Sequence, residues 1–387
     1  MIKVLHFFKT YYPDSMGGIE QVIFQIAEGT QAHGVQPEVL YLSPRGAARN
    51  ETVGNHVTHR SKLDLHVAST GFSLSAMKDF AELAAQADIV HYHFPWPYMD
   101  LVHFLARLNK PTVVSYHSDI VKQKWLLKLY QPLMNRFFAS VDRIVASSPN
   151  YAAHSPVLTR FKDKVEIIPY GLDRGIYPKA SVEKLAYWRA RLGERFFLFV
   201  GALRYYKGLD YLLEAAHINR LPVVIMGGGF LEAQLKAQAQ QKGLGNVQFL
   251  GGLGDDDKAA LLELCYAFAF PSHLRSESFG ISLLEAAMYG KPLISCEMGS
   301  GTTFINLAGQ TGLVVPPRDA AALAQAMQRL WDDPTLAQAW APRHCSVTRK
   351  YLPHRQWPVR MPASTVACCK RYPSDGLRCR SALTALG

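Results

Sequence analysis

The chain has 387 residues, of which 49% are hydrophobic, 19% charged and 11% aromatic, which excludes intrinsic disorder, a collagen-like repeat and a coiled coil. At roughly 100–200 residues per domain this length predicts two domains, each able to bury its own core, with a ligand cleft between them. The formal charge is +11, but from Pro342 onward nine Lys and Arg stand against one acid, Asp375, so the body carries only +3 and the overall charge gives no argument for a nucleic-acid partner.

Two scattered cysteines in the body, Cys265 and Cys296, predict a reducing compartment. The N-terminal MIKVLHFF passes straight into Lys9 and Tyr11 without a small-residue cleavage site and reads as a first strand. No apolar run approaches the ~20 residues that span a bilayer. The expectation is a cytoplasmic or peripheral protein.

In chain order, strands are predicted at Ile2–Phe7, Glu38–Leu42, Asp88–Phe94, Pro111–Tyr116, Arg143–Ala146 and Val165–Pro169, with helices near Gly18–Ala32, Ser73–Gln86, Tyr98–Leu108 and Gln123–Ala139. A polar stretch, Tyr177 to Glu194, separates this from a second series. Its strands are Phe196–Val200, Val223–Met226, Val247–Leu250, Ala267–Phe270, Leu293–Ser295 and Leu313–Val315; its helices lie near Leu209–His217, Leu231–Lys242, Asp256–Leu264, Ser282–Tyr289 and Ala320–Trp331. The pattern predicts α/β architecture: two Rossmann-like, doubly wound parallel sheets facing across one cleft, with domains at 1–176 and 177–341 and a basic, disordered tail at 342–387.

Glycines Gly17 and Gly18 open the first long helix, where bare backbone and outward N–H groups favour a phosphate or sugar; an ordinary turn is the competing reading. Without a G-x-G-x-x-G, a nicotinamide site is disfavoured. The strand ending at Val200 runs into Gly201-Ala202-Leu203-Arg204-Tyr205-Tyr206-Lys207-Gly208. There Arg204 can fork onto a diphosphate and Lys207 can neutralise it, or both belong to a solvated turn. Met226-Gly227-Gly228-Gly229 closes another strand and opens a helix with anion-binding geometry, Gly228 at its centre. Most specific is Ser276 to Gly290: Glu277 precedes a helix and Glu285 lies about two turns further on. The N–H groups of Phe279, Gly280 and Ile281 lie where a phosphate could sit, and the two carboxylates suit sugar hydroxyls. The competing reading is a helix cap plus a solvated glutamate.

Three other features carry weaker signals. Asp255-Asp256-Asp257 contains a D-x-D but precedes Ala260-Leu261-Leu262 and reads as acidic capping of a helix. His91 and His93 alternate on one strand face; a zinc site would need further convergent ligands, and satisfied interior histidines are the simpler expectation. Over Lys122–Phe138 a helical wheel places Lys122, Lys124, Lys128 and Arg136 with Trp125 on one half, and Leu126, Leu127, Tyr130, Leu133, Met134, Phe137 and Phe138 on the other. The basic face suits an anionic membrane surface, with packing on the protein's own sheet as the alternative and a kink expected at Pro132.

Taken with His117 in Ser115-Tyr116-His117-Ser118-Asp119 and with Pro169-Tyr170-Gly171-Leu172-Asp173, these motifs resemble the GT-B retaining glycosyltransferases of family 4 over roughly Met1 to Trp340. Leu5 to Pro13 followed by Gly17-Gly18-Ile19-Glu20-Gln21 is similar to the bacterial mannosyl- and D-rhamnosyltransferases of lipopolysaccharide O-polysaccharide. The resemblance implies a GDP-hexose donor, a polyprenyl-diphosphate-linked glycan acceptor and retention of configuration, at the inner face of the cytoplasmic membrane; transfer is expected to need no metal cofactor, since Lys207, Arg204 and helix N–H groups can meet the diphosphate charge. It further implies that Glu277 holds donor-sugar hydroxyls, Glu285 the ribose and Lys207 the diphosphate, that Gly18 lines the donor site, and that His117 contacts the transferring sugar. One departure is Ala202, where the family usually has Arg; Arg204 is the nearby cation. A non-hydrolysing nucleotide-sugar epimerase and a catalytically weak sugar-nucleotide-binding protein are the alternatives. The tail's five prolines, Pro342, Pro353, Pro358, Pro362 and Pro373, interrupt every candidate helix, and its abrupt change of composition resembles a coding sequence read out of frame after about Arg343.

Overall fold

The computed structural model describes residues 1–340 apart from 68–69, 122–123 and 173. The tail at 342–387, with the reading of it as out of frame, and the positions Lys122 and Asp173 lie outside the described residues. Among the described residues the chain forms two compact units, residues 1–147 with 152–170, and residues 148–151 with 171–340.

In the first unit the strands are β1 (Ile2–Phe7), β2 (Val35–Ser43), β3 (Ala48–Val53), β4 (His56–Lys62), β5 (Leu65–Val67), β6 (Thr70–Phe72), β7 (Ile89–Phe94), β8 (Thr112–Tyr116), β9 (Arg143–Ala146) and β10 (Val165–Ile167). Eight of them make one sheet in the order β10-β9-β8-β7-β1-β2-β4-β3. Runs such as Val113-Val114 and Ile89-Val90 are buried on both faces, the pattern that crossover helices on both sides of a parallel sheet require. The sheet departs from the expected all-parallel form at one edge, where β3 pairs antiparallel with β4. Neither strand was foreseen, because ARNETV and HVTHRSK carry too few apolar residues to show a strand period. The β5–β6 hairpin forms a separate pair.

The second unit holds β11 (Phe197–Val200), β12 (Val223–Met226), β13 (Val247–Gly251), β14 (Ala267–Phe270), β15 (Leu293–Cys296) and β16 (Gly312–Val315), in the order β13-β12-β11-β14-β15-β16, every pair parallel. Both units are thus Rossmann-like. The polar stretch at Tyr177 to Glu194 is not merely a linker: it contains the helix Val182–Leu192, started by the Ser181 side chain accepting from the Lys184 N–H and anchored by buried Trp188 and Leu192. Only two buried positions in eleven residues hid it from periodicity. Similar side-chain caps at Ser73 and Asp319 start the helices Leu74–Gln86 and Ala320–Asp332.

The helix Lys124–Ser140 runs on through Pro132. Its buried face is shorter than the wheel implied: Met134, Phe137 and Phe138 are buried, whereas Leu126 is exposed together with Trp125 and Leu129. Full burial is confined to the helix's second half, and the first turns leave Trp125, Leu126 and Leu129 exposed.

Candidate functional site

The second unit gathers the charged residues singled out in the sequence. After β11 the chain passes through Gly201 into a short 3-10 turn, Tyr205–Lys207, which turns the Lys207 ammonium inward. Its Nζ pairs with Glu277 Oε2 and lies 4.9 Å from the centre of the Phe270 ring; Ser272 Oγ donates to the same carboxylate oxygen at 3.3 Å. Burial works to lower the lysine's pKa, but the Glu277 carboxylate outweighs it and holds the ammonium above the ordinary lysine value. Gly208, at φ +70°, makes this turn possible, since a Cβ there would collide with the Pro271 carbonyl.

Glu285 lies in the helix Ile281–Met288 and is 3% exposed. Its Oε1 takes Lys258 Nζ at 3.0 Å and the Tyr177 hydroxyl at 2.9 Å. Neither partner was anticipated: Lys258 sits directly after the three aspartates, and only the fold brings Tyr177 across 108 positions. Lys258 also reaches Asp255 at 2.9 Å, so its charge is reinforced against burial by two carboxylates. Glu277 and Glu285 therefore each carry a cation, Lys207 buried and Lys258 partly buried, a pre-neutralised arrangement in which carboxylate oxygens can accept hydrogen bonds from hydroxyls at low desolvation cost.

Other predicted residues occupy different places. Arg204 is exposed and stacks 5.9 Å from the centre of the Phe230 ring, apart from the Lys207–Glu277 pair. Phe279 is a core side chain, 1% exposed; what it and Gly280 and Ile281 offer a ligand is backbone at the helix start. Gly228 does not open a helix: the next one begins at Glu232. The glycine run instead packs backbone on backbone. Leu203 N donates to Gly228 O at 3.0 Å and Gly201 N to Met226 O at 3.0 Å, and Cβ atoms on Gly227 or Gly229 would strike Gly201 O or Leu203 O. Asp255 and Asp257 are engaged by Lys258 and by Lys184 with Trp188 Nε1, so the D-x-D serves a helix start and its packing.

In the first unit the helix Gly18–Gln31 does start at Gly17 and Gly18, steadied by the cluster of Phe8, Tyr11, Ile23, Val39 and Tyr41. The position is not an open anion site. Glu20 folds back over Gly17, so closely that a Cβ there would meet its carboxylate, and accepts from Thr10 Oγ1 at 2.8 Å and Ser15 Oγ at 2.7 Å. A carboxylate already at the positive end of the helix suits a sugar hydroxyl better than a second anion.

His117 follows β8, is 3% exposed and has both ring nitrogens engaged, Nε2 with His93 Nδ1 at 2.9 Å and Nδ1 with the Tyr170 hydroxyl at 2.7 Å. Burial pushes its pKa down to about 3, so the ring is neutral at physiological pH. His91 and His93 are satisfied within the fold, His91 Nε2 by Ser115 Oγ at 2.9 Å. With His6 they bring ligand atoms within 4.8 Å of one another. Yet His91 and His93 are stacked, with centroids 4.6 Å apart and planes only 21° from parallel. Both nitrogens of His93, Nδ1 of His6 and Nε2 of His91 are already held in hydrogen bonds within the fold, whereas a metal would need their lone pairs converging on one point about 2.0 Å away. As placed, the rings do not fit a metal.

Comparison with known proteins agrees with this chemistry. The family model described as Glycosyltransferase Family 4 matches residues 16–175, and that described as Glycosyl transferases group 1 matches residues 183–344. The chain is 59% identical over 337 residues to the D-rhamnosyltransferase WbpZ of Pseudomonas aeruginosa, covering 87% of this chain and 88% of that one. It is 53% identical to the O-antigen chain mannosyltransferase C of Escherichia coli, covering 86% and 89%. Among solved structures, a sucrose-phosphate synthase from Thermosynechococcus elongatus superposes with a TM-score of 0.78 at 20% identity, over 94% of this chain and 98% of that one. WaaG, a glycosyltransferase involved in lipopolysaccharide biosynthesis, does so with 0.68 at 16%, over 92% and 98%. These structures share the GT-B fold, and with two family models spanning most of its length the chain belongs to the family 4 glycosyltransferases.

Proposed function

We propose that the protein transfers mannose or D-rhamnose, with retention, from a GDP-sugar to a polyprenyl-diphosphate-linked glycan during synthesis of lipopolysaccharide O-polysaccharide. The observation that carries the reading is the high identity to WbpZ and to the O-antigen chain mannosyltransferase C over nearly the whole length of each. The site chemistry supports it. Departure of a nucleoside diphosphate builds negative charge, which a preformed Lys207 cation and the start of the helix Ile281–Met288 are suited to meet. Glu277 would accept from donor-sugar hydroxyls and Glu285 from the ribose, each already balanced by its lysine. Arg204, exposed beside Phe230, would come to the diphosphate from solvent. His117, neutral and buried, would meet the transferring sugar as a positioned ring and not as an acid.

Transfer is proposed to need no divalent metal, because Asp255 and Asp257 are committed to Lys258 and Lys184. Membrane attachment is proposed at the first turns of the helix Lys124–Ser140, where Trp125 is 80% and Leu129 81% exposed and Lys128 Nζ sits 4.8 Å from the Trp125 ring centre. An exposed Trp with aliphatic neighbours and a cation fits the lipid headgroup boundary. Among the described residues no helix is long and apolar enough to cross a membrane.

The test is incubation with GDP-mannose and with GDP-D-rhamnose, each with and without lipid-linked acceptor and each with and without chelator. Acceptor-dependent elongation that survives chelation is expected. Conversion of the donor sugar without acceptor would identify an epimerase, and restoration of a chelated reaction by magnesium or manganese would overturn metal independence.

A further inference from the structure

Three imidazoles and a phenol form one continuous hydrogen-bonded line through the first unit. His6 Nδ1 meets His93 Nε2 at 3.1 Å, His93 Nδ1 meets His117 Nε2 at 2.9 Å, and His117 Nδ1 meets the Tyr170 hydroxyl at 2.7 Å. The line depends on the sheet. β1 and β7 pair so that His6 stands opposite His91, His93 follows on the same face two residues later, and β7 pairs with β8 so that His93 stands opposite Ser115, two residues before His117. The rings lie edge to edge with their planes nearly aligned, His93 and His117 at 13° with centroids 5.2 Å apart and His6 and His93 at 23° and 5.4 Å, the arrangement that bonds between in-plane ring nitrogens require. His6 is 1% exposed, His93 0% and Tyr170 6%.

A neutral imidazole has one donor and one acceptor nitrogen, and burial keeps all three rings neutral. Only two proton arrangements then satisfy the line. In one, every ring carries its proton on Nε2, Tyr170 donates to His117, His117 to His93 and His93 to His6. In the other, every ring carries it on Nδ1 and all three bonds reverse. A mixed arrangement would set two donors or two lone pairs against each other inside the fold, at the cost of a lost buried hydrogen bond.

We propose that His93 and His6 are positioning residues that hold the His117 ring in a single tautomer and orientation. As regards catalysis, this rests on the assignment of His117 to the transferring sugar. The line does for His117 what an orienting second partner does for a catalytic or metal-bound imidazole, but without a carboxylate, so that no charge is placed beneath the sugar.

The experiment is nitrogen NMR of the protein labelled at histidine, with signals assigned by single-site variants and folding checked by circular dichroism. In the unaltered protein His6, His93 and His117 are expected to be neutral at pH 7.5 and to share one tautomer. Finding different tautomers among the three overturns the proposal without any variant. In His93→Phe, the His117 nitrogens should move to the averaged positions of mixed tautomers; unchanged His117 signals in this folded variant would also overturn it. In His93→Asn, whose amide reaches about as far as Nδ1, His117 should keep a single tautomer. In turnover assays with GDP-sugar and acceptor, kcat should fall about 10-fold in His93→Phe, the lower end of the usual cost of losing an orienting partner. KM for the sugar nucleotide should stay unchanged, and His93→Asn should recover most of the loss. If the tautomer responds while kcat does not, the positioning role in transfer is overturned, and the fault lies in the placement of the sugar at His117. The Glu277 assignment is tested separately by its own variant.

Discussion

Lys207 and Glu277 neutralise each other beside the Phe270 ring, with side chains about a tenth exposed, at 11% and 12%. That degree of exposure decides the outcome of Glu277→Ala. A fully buried pair broken on one side costs about 3–5 kcal/mol, but a lysine that can reach water recovers part of its hydration, so a loss of about 1–3 kcal/mol is expected, with the fold intact by circular dichroism and transfer abolished. Full turnover in the variant would remove Glu277 from the site. The buried histidines make a second expectation. His91 and His117 are carried by burial from 6.5 to about 3, so below pH 6.5 the unfolded chain takes up protons that the folded chain refuses. Stability present above pH 6.5 is therefore lost as the pH falls toward 3, by about 1.4 kcal/mol per histidine for each unit. Urea unfolding at pH 7.5 and 5.5 should show this loss, reduced by about 1 kcal/mol in His91→Gln, whose amide can still meet Ser115; an identical pH response would refute the assignment.

Two elements invite contrasting substitutions. Gly227 and Gly243 both have positive φ, +134° and +61°, but a Cβ on Gly227 meets the Gly201 carbonyl whereas one on Gly243 meets nothing within 4 Å. Gly243→Ala should cost only the left-handed backbone strain, about 1–2 kcal/mol. Gly227→Ala must also part the loops after β11 and β12, and should lower both the melting temperature and sugar-nucleotide binding, read by calorimetry. For the helix Lys124–Ser140, Trp125→Ser with Leu129→Ser should leave unfolding unchanged, since both side chains already face water, while sedimentation with anionic vesicles declines; unaltered sedimentation would detach this helix from the membrane. Strands such as Val223–Met226 and Ala267–Phe270 were legible because a strand covered on both faces must be apolar throughout. The helix Val182–Leu192 and the edge strand β3 were not, because partial burial leaves polar residues in the majority; nor was β4, whose buried side chains, His56, Thr58, His59 and Ser61, are themselves polar. Lys207, Glu277 and Glu285 stood out as charges at strand and helix ends. The union of the first two, and the His6–His93–His117 line, depend on strand register and on chain separations of 70 and 87 positions, which local patterns do not encode.

Across the whole molecule, the chain passes from the first unit to the second at Ser148, returns at Ala152, and passes over again after Tyr170. The four-residue excursion is well tied to the second unit: Asn150 Nδ2 donates to Thr303 Oγ1 at 3.1 Å, the Tyr151 hydroxyl donates to Arg275 O at 3.1 Å, and the Arg275 guanidinium lies 4.6 Å from the Tyr151 ring centre. A gene cut between Tyr170 and Gly171 would therefore not yield two finished halves. A C-terminal fragment beginning at Gly171 would lack the buried Tyr151 ring and should melt well below the second transition of the intact protein, or fail to melt cooperatively, in scanning calorimetry. Equal melting would show that the excursion contributes nothing. Short of that, the two units are a pair that recombination cannot cleanly exchange: a chimera that swaps the second unit for a relative's must carry residues 148–151 with it, as an inserted graft inside the first unit's own stretch of chain.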